Sequence, residues 1–304
     1  MVSPASRRAL VSHMQERYGL SERRACALAK QPRSVQRHVS TRVPTPGLTD
    51  RLVELAKERP RFGYRRLGIL LKRSGFAVNH KRVYRLYSQL ELAVRPKPRR
   101  RASQAPREAQ PKATRPNECW SMDFLSDSMT DGRTLRVFTV VDDCSKLCVA
   151  LVCDVSLPAA RIVRELDRAI EIYGKPEAFR SDNGPEFIAK VLDEWAYTHG
   201  IEHHFIRPGK PIENAIAESF NGRVRDELLN QHCFSSVRHA VALAADWHAD
   251  YNAVRPHTSL GGLSPMQYLE ARAESDRSRC ELSSNPEPQH QTTRTCVRAT
   301  PQPL

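Results

Sequence analysis

Residues 95–116 set the first limit on how this 304-residue chain can fold. They contain Pro96, Pro98, Pro106, Pro111 and Pro116, and eight Lys or Arg against one acid, Glu108. Proline removes backbone donors and the crowded positive charges repel one another, so this stretch cannot fold alone. The chain must fold on either side of it, as two parts joined by a basic linker. Charge divides at the same place. Residues 1–116 carry 28 Lys and Arg against 7 Asp and Glu, whereas residues 117–304 carry 20 against 27. A basic part joined to an acidic part suits a grip on a polyanion attached to a metal-dependent site, although a basic segment can also be merely solubilising. The linker itself can lie along phosphates and release counterions.

Ahead of the linker the apolar period is helical. Residues 5–30 read as short helices, with Leu10, Met14 and Tyr18 on one face and Ser21 as an N-cap. Pro44 and Pro46-Gly47 mark a break. Thr49 then caps a helix through about Arg59 that turns Leu52, Leu55 and Ala56 inward. Tyr64 to Ser74 is a second helix, stopped by Gly75, with Leu67, Leu70 and Leu71 apolar. Asn79 caps a third, in which Val83, Leu86 and Leu90 pack while Lys81, Arg82 and Arg85 face outward. Helix, glycine turn and basic helix is the pattern of a helix-turn-helix reader, and also of a small bundle with a solvated basic face. On the first reading Lys81, Arg82 and Arg85, with Arg99, Arg100 and Arg101 of the linker, contact duplex DNA.

After the linker the period changes to two. Trp120, Met122 and Phe124 alternate with Ser121, Asp123 and Leu125, as in a strand. Asp131-Gly132 is a hairpin turn between this strand and 135–141, and 147–153 is a third β-rich run. A helical stripe of Ile162, Leu166, Ala169, Ile170 and Tyr173 ends at Gly174. A short strand at 178–181, a helix through Phe187, Val191 and Trp195 stopped by Gly200, a fifth strand at 203–206 and helices at 214–229 and 237–251 follow. Three strands and then helices alternating with short strands predict an α/β fold with a mixed five-stranded sheet covered by helices. The resulting division is a helical region at 1–94, the linker at 95–116, a core at 117–272 and a disordered Ser-, Arg-, Pro- and Gln-rich tail at 273–304.

Three acids stand out in that core. Asp123 lies mid-strand, Asp182 closes the fourth strand in Ser181-Asp182-Asn183-Gly184-Pro185-Glu186-Phe187, and Glu218 lies on the 214–229 helix. Three carboxylates from three elements can hold two divalent metals about 3.5–4 Å apart, an arrangement suited to in-line displacement at phosphorus. Asn221, Gly222 and Arg225 share the Glu218 face. Gly222 would let a DNA backbone approach, and Arg225 would meet its phosphate. Arg207 and Lys210, on the loop before that helix, are expected DNA-backbone contacts, with Arg255-Pro256-His257 as a further basic supplement. Asn214 is an N-cap or a DNA contact. Asp142-Asp143 reads as a turn, His203-His204 as surface, and Glu186 as a helix cap or a neighbour of the metals.

These stretches carry a resemblance. WSMDF, VVDDCSK, SDNGPEF, FIRPGKPIENAIAESFNGRVRDELLN and YNAVRPHTSLGGLSPMQY resemble the catalytic core of bacterial insertion-sequence transposases. More narrowly they resemble the downstream-frame (OrfB) product of the insertion sequence three family, within the DDE transposase and retroviral integrase superfamily. Residues 61–92 resemble the helix-turn-helix that precedes that core. The resemblance implies an RNase H-like fold and dependence on two Mg²⁺ or Mn²⁺ ions held by Asp123, Asp182 and Glu218. It also implies strand cleavage at element ends, attack of the freed 3′-hydroxyl on target DNA, and Arg225 as the basic residue after the glutamate. The implied partners are double-stranded DNA, an upstream-frame (OrfA) product or a fusion with it, and further copies of the chain on DNA. Glu213 and Cys144 depart from the usual pattern, and the zinc domain of retroviral integrases is absent. A hydrolytic nuclease of the same fold and a non-catalytic regulator derived from a mobile element are the alternatives. Loss of one of the three acids would favour the regulator, and none is lost.

No apolar run approaches the roughly 18 residues of a membrane span, and charged residues interrupt any leader at the N-terminus, so the expected location is the bacterial cytoplasm, at the nucleoid. The eight cysteines form no Cys-x-x-Cys pair and are expected to be reduced thiols, with Cys144, Cys148 and Cys153 serving as small buried hydrophobes.

Overall fold

A computed structural model describes residues 4–38, 45–94, 113–207 and 214–283. Arg99, Arg100, Arg101, Lys210, Glu213, Pro44, most of the 95–116 linker and residues 284–304 lie outside the described residues. The chain forms two compact units, residues 1–48 and 49–304.

The first unit holds α1 (Pro4–Tyr18), α2 (Glu22–Leu28) and α3 (Arg33–Arg37). Ser21 caps α2 as expected, accepting from the Arg24 N–H at 3.4 Å. The expected stripe on α1 is shifted by one residue. Val11 is fully buried with Ala25 and Cys26, and Met14 packs beside them, whereas Leu10 and Tyr18 are exposed. Three short helices bury little area, so one residue per turn suffices.

In the second unit α4 (Leu48–Glu58), α5 (Tyr64–Arg73) and α6 (His80–Gln89) precede the sheet. Thr49 falls inside α4, which starts at Leu48. Asn79 caps α6, accepting from the Lys81 N–H at 2.9 Å, and Gly75 leaves α5 at φ +88. Val83 and Tyr87 fill the α6 face, while Leu86 and Leu90 are only half-buried.

The sheet contains β1 (Cys119–Ser128), β2 (Thr134–Asp142), β3 (Cys148–Asp154), β4 (Ala178–Ser181) and β5 (Glu202–Phe205) in the order β3-β2-β1-β4-β5. The β1–β2 and β2–β3 pairs are antiparallel; β4 joins β1, and β5 joins β4, in parallel. This mixed five-stranded sheet meets the RNase H-like expectation.

The period of two decides which helix each strand residue meets. Trp120, Met122, Phe138, Val140 and Phe179 face α7 (Ala159–Tyr173) and α8 (Lys190–His199). Leu125, Leu135, Val137 and Val141 face α9 (Ala215–Glu227) and α10 (Val237–Ala253). Each fully buried Phe or Met adds roughly 1.5–3 kcal/mol. In α8 the buried residues are Leu192, Trp195 and Ala196; Val191 is exposed, and Phe187 is buried ahead of the helix.

The last helix, α11 (Pro265–Ser283), runs into the 273–304 stretch expected to be disordered. Among the described residues no helix is long and apolar enough to cross a membrane.

Candidate active site

Asp123 sits opposite Thr139 of β2, on the sheet face that receives α9. Its Oδ1 accepts from the Phe124 N–H at 2.7 Å, and its Oδ2 accepts from Asn221 Nδ2 of α9, also at 2.7 Å. Thr139 Oγ1 holds Asn221 in turn, lying 2.8 Å from its Oδ1 and 3.0 Å from the Asp123 carbonyl. The buried Thr139–Asn221 bond fixes which end of the amide meets the carboxylate. Sequence reasoning placed Asn221 on the Glu218 face and missed this contact. A polar residue amid the apolar positions of β2 was the signal for Thr139.

Asp182 follows the end of β4, and its Oδ1 accepts from the Gly184 N–H at 3.0 Å. A Cβ at position 184 would stand 3.0 Å from that oxygen, a tight contact that glycine avoids. Asn183 Nδ2 donates to the Ile206 carbonyl at 3.0 Å, tying this loop to the chain after β5. Glu218 is exposed in the first turn of α9, where the helix dipole favours an anion.

Electrostatics join the three acids. Burial pushes the Asp123 carboxyl up to about 6, and the charges of Asp182 and Glu218 push the same way; the Phe124 N–H and Asn221 pull it down. Among the described residues no Lys or Arg forms an ion pair with any of the three. No three His, Cys, Asp or Glu side chains among the described residues are already gathered tightly enough to enclose one ion. The chemistry of the donor set nevertheless fits a hard divalent cation, because carboxylate oxygens share a negative field that no Lys or Arg among the described residues neutralises.

The neighbouring acids are committed elsewhere. Asp142 builds a turn, accepting from the Asn117 N–H at 2.8 Å and the Ser145 N–H at 2.6 Å. Asp143 pairs with Arg180 at 2.9 Å and with Ser121 Oγ at 2.6 Å. Glu186 pairs with Arg136 at 2.6 Å, and Arg136 lies 4.7 Å over the Phe124 ring. His203 is not a surface residue: its side chain is 8% exposed and its Nε2 lies 2.8 Å from Ser181 Oγ.

The expected basic supplement at Arg255 and His257 is corrected. Arg255 is 1% exposed and forks onto Glu227 at 2.6 and 2.7 Å, and burial beside Arg255 pushes His257 down to about 2. A guanidinium held this way cannot reach out to DNA. Arg207, Arg225, Lys81 and Arg85 are exposed, and Arg82 is half-buried. Asn214 occupies the N-cap position of α9 without a side-chain cap bond, and its buried Oδ1 has no partner among the described residues.

The comparisons with known proteins agree with this architecture. An "HTH-like domain" family model matches residues 48–101, and two "Integrase core domain" models match residues 113–211 and 199–265. The chain is 45% identical over 260 residues to the insertion element IS407 uncharacterized 31.7 kDa protein of Burkholderia multivorans, covering 85% of this chain and 94% of that protein. It is 30% identical over 230 residues to the putative transposase InsK for insertion sequence element IS150 of Escherichia coli K12, covering 72% and 81%. Among solved structures, the HTLV-2 integrase catalytic core domain in complex with magnesium is similar at 20% identity, with a TM-score of 0.41, over 50% of this chain and 96% of that one. The chain belongs to the insertion-element transposases of the insertion sequence three family, with a helix-turn-helix-like domain and an integrase core.

Proposed function

We propose that the chain cuts DNA at the ends of its insertion element and joins the freed 3′-hydroxyl to target DNA, with Asp123, Asp182 and Glu218 holding two Mg²⁺ or Mn²⁺ ions. The carrying observation is the raised Asp123 carboxyl, pushed up to about 6 first by burial and then by the charges of Asp182 and Glu218, with no Lys or Arg among the described residues paired to any of the three. When bound, such ions activate the attacking oxygen and stabilise charge on the leaving one. Asn221 aims Asp123, and Gly184 leaves room for the Asp182 carboxylate. Arg225, two turns beyond Glu218, meets the adjoining phosphate. Lys81, Arg82, Arg85, Arg99, Arg100, Arg101, Arg207, Lys210 and Asn214 hold the duplex on this reading. Residues 1–94 serve as the DNA-binding region and 117–272 as the catalytic core. The chain works in the bacterial cytoplasm as an oligomer on DNA, with an upstream-frame product or fused to it.

The test is cleavage and joining of labelled element ends in Mg²⁺ by the Asp182→Asn protein. Loss of both reactions, with an unchanged circular dichroism spectrum, is expected. Wild-type rates in the variant would refute the assignment, and cleavage without joining in the wild type would make the chain a hydrolytic nuclease.

A further inference from the structure

Two adjoining grooves run along α9, beside rather than over the carboxylate site. One, of about 340 Å³, lies between α9 and the arginines Arg61 and Arg66. The other, of about 260 Å³, reaches Lys146 and His257. Both are lined by Ser219 and Arg223, so they form one track past the residue next to Glu218.

Positive charge is in excess there. Arg66 and Arg255 share the single carboxylate of Glu227, and Arg61 reaches Asp226 at 3.7 Å. Arg223 donates to the Ser219 carbonyl of its own helix at 2.9 Å and, among the described residues, has no carboxylate within ion-pair distance. Burial and the neighbouring Arg255 push Arg66 down to about 10, as expected of guanidiniums crowded around too few anions.

Two residues that break local rules line the same track. Gly222 sits inside α9, where glycine is unfavourable, yet a Cβ there would meet nothing within 4 Å. No packing among the described residues requires its missing side chain. Lys146 holds φ +61, a conformation that disfavours residues other than glycine, and its ammonium donates to the Asp143 carbonyl of the same turn, which places a cation at the rim of the track. The departure at Gly222, which nothing among the described residues compensates, is expected where a surface serves a ligand.

We propose that this track, from Lys146 past Arg223 to Arg66 and Arg61 over the bare edge at Gly222, seats the phosphates of one strand of duplex DNA. The proposal deepens the function above and rests on it for the identity of the polyanion. The track delivers a strand alongside Glu218, and Gly222 lets the backbone lie against the helix.

The experiment measures binding of a fluorescein-labelled random-sequence duplex to the full chain in EDTA, across a salt series. Metal and cleavage do not enter, so a wrong carboxylate assignment leaves this test intact. Arg223→Gln should weaken binding roughly 3- to 10-fold and lower the slope of log affinity against log salt by about 1, as loss of one phosphate contact does. Gly222→Leu should retain the melting temperature and weaken binding by obstruction alone. Wild-type affinity and salt slope in a folded Arg223→Gln protein would overturn the proposal. If Arg223→Gln does not fold, Gly222→Leu decides, and its wild-type affinity would overturn it.

Discussion

The two ends of α9 carry acids in opposite circumstances. Glu227, near its C-terminus, is 10% exposed, gripped by the Arg255 fork and reached by Arg66 at 3.2 Å. Glu218, in the first turn, is exposed, and its charge falls on Asp123, which also feels Asp182. One end is neutralised and fastened; the other adds negative charge to a site already crowded with it. A structural acid is supplied with cations by the fold, whereas an acid meant for an external cation is left without them. Asp143 belongs with Glu227: burial raises its carboxyl, but Ser121 and Arg180 pull it back.

The contrast breaks first at Glu227. Glu227→Gln leaves Arg255 buried without its counter-charge, which costs about 3–5 kcal/mol. Urea unfolding should show that loss, and an unchanged midpoint would mean that the fastened end is not fastened by charge.

A smaller effect is expected from pH. Asp123 rises from 3.8 unfolded to about 6 folded, so the folded state holds its proton more tightly. The group therefore favours folding most below pH 4 and progressively disfavours it as pH rises from about 4 to 6. At about 1.4 kcal/mol per pKa unit the swing reaches at most about 3 kcal/mol. In EDTA, Asp123→Asn should gain stability relative to wild type across that window, and Mg²⁺ should stabilise the wild type alone. Identical stability–pH curves for the two proteins would remove the shared field.

Arg225 gives the smallest stability effect. It is exposed, so Arg225→Ala should alter stability by no more than about 0.5 kcal/mol. End joining should fall while some cleavage survives, and Arg225→Lys should recover part of it, keeping the charge but losing the bidentate fork. Full joining by Arg225→Ala in a gel assay would leave the residue with only a solvated position on the helix.

What could be read from the sequence was local. Alternation from Trp120 to Leu125 gave β1 its two faces and set Asp123 toward α9, and Asp131-Gly132 marked the hairpin. Asn79 and Ser21 were legible as caps because the signal lies within three residues. The errors concern partners distant in the chain. Arg255 looked like a free cation because Glu227 lies 28 residues away, and His203 looked superficial because Ser181 lies 22 residues away. The Asn221–Asp123 bond spans 98 residues and leaves no periodic trace. Apolar stripes also mislead in short helices, where Leu10 and Val191 follow the period but face solvent.

The arginines of the first helices in the second unit have a consequence for how such elements diverge. The family models divide the chain between residues 101 and 113. The ion pairs do not respect that border: Arg59 pairs with Asp250, Arg66 with Glu227, and Arg73 donates to the carbonyls of Val254 and Gly262. A reader exchanged between relatives at that border would leave Asp250 behind and Glu227 with Arg255 alone. The unit held together by these ion pairs is therefore larger than the matched helix-turn-helix-like segment, and a swap at that border should cost stability even where both parts are intact.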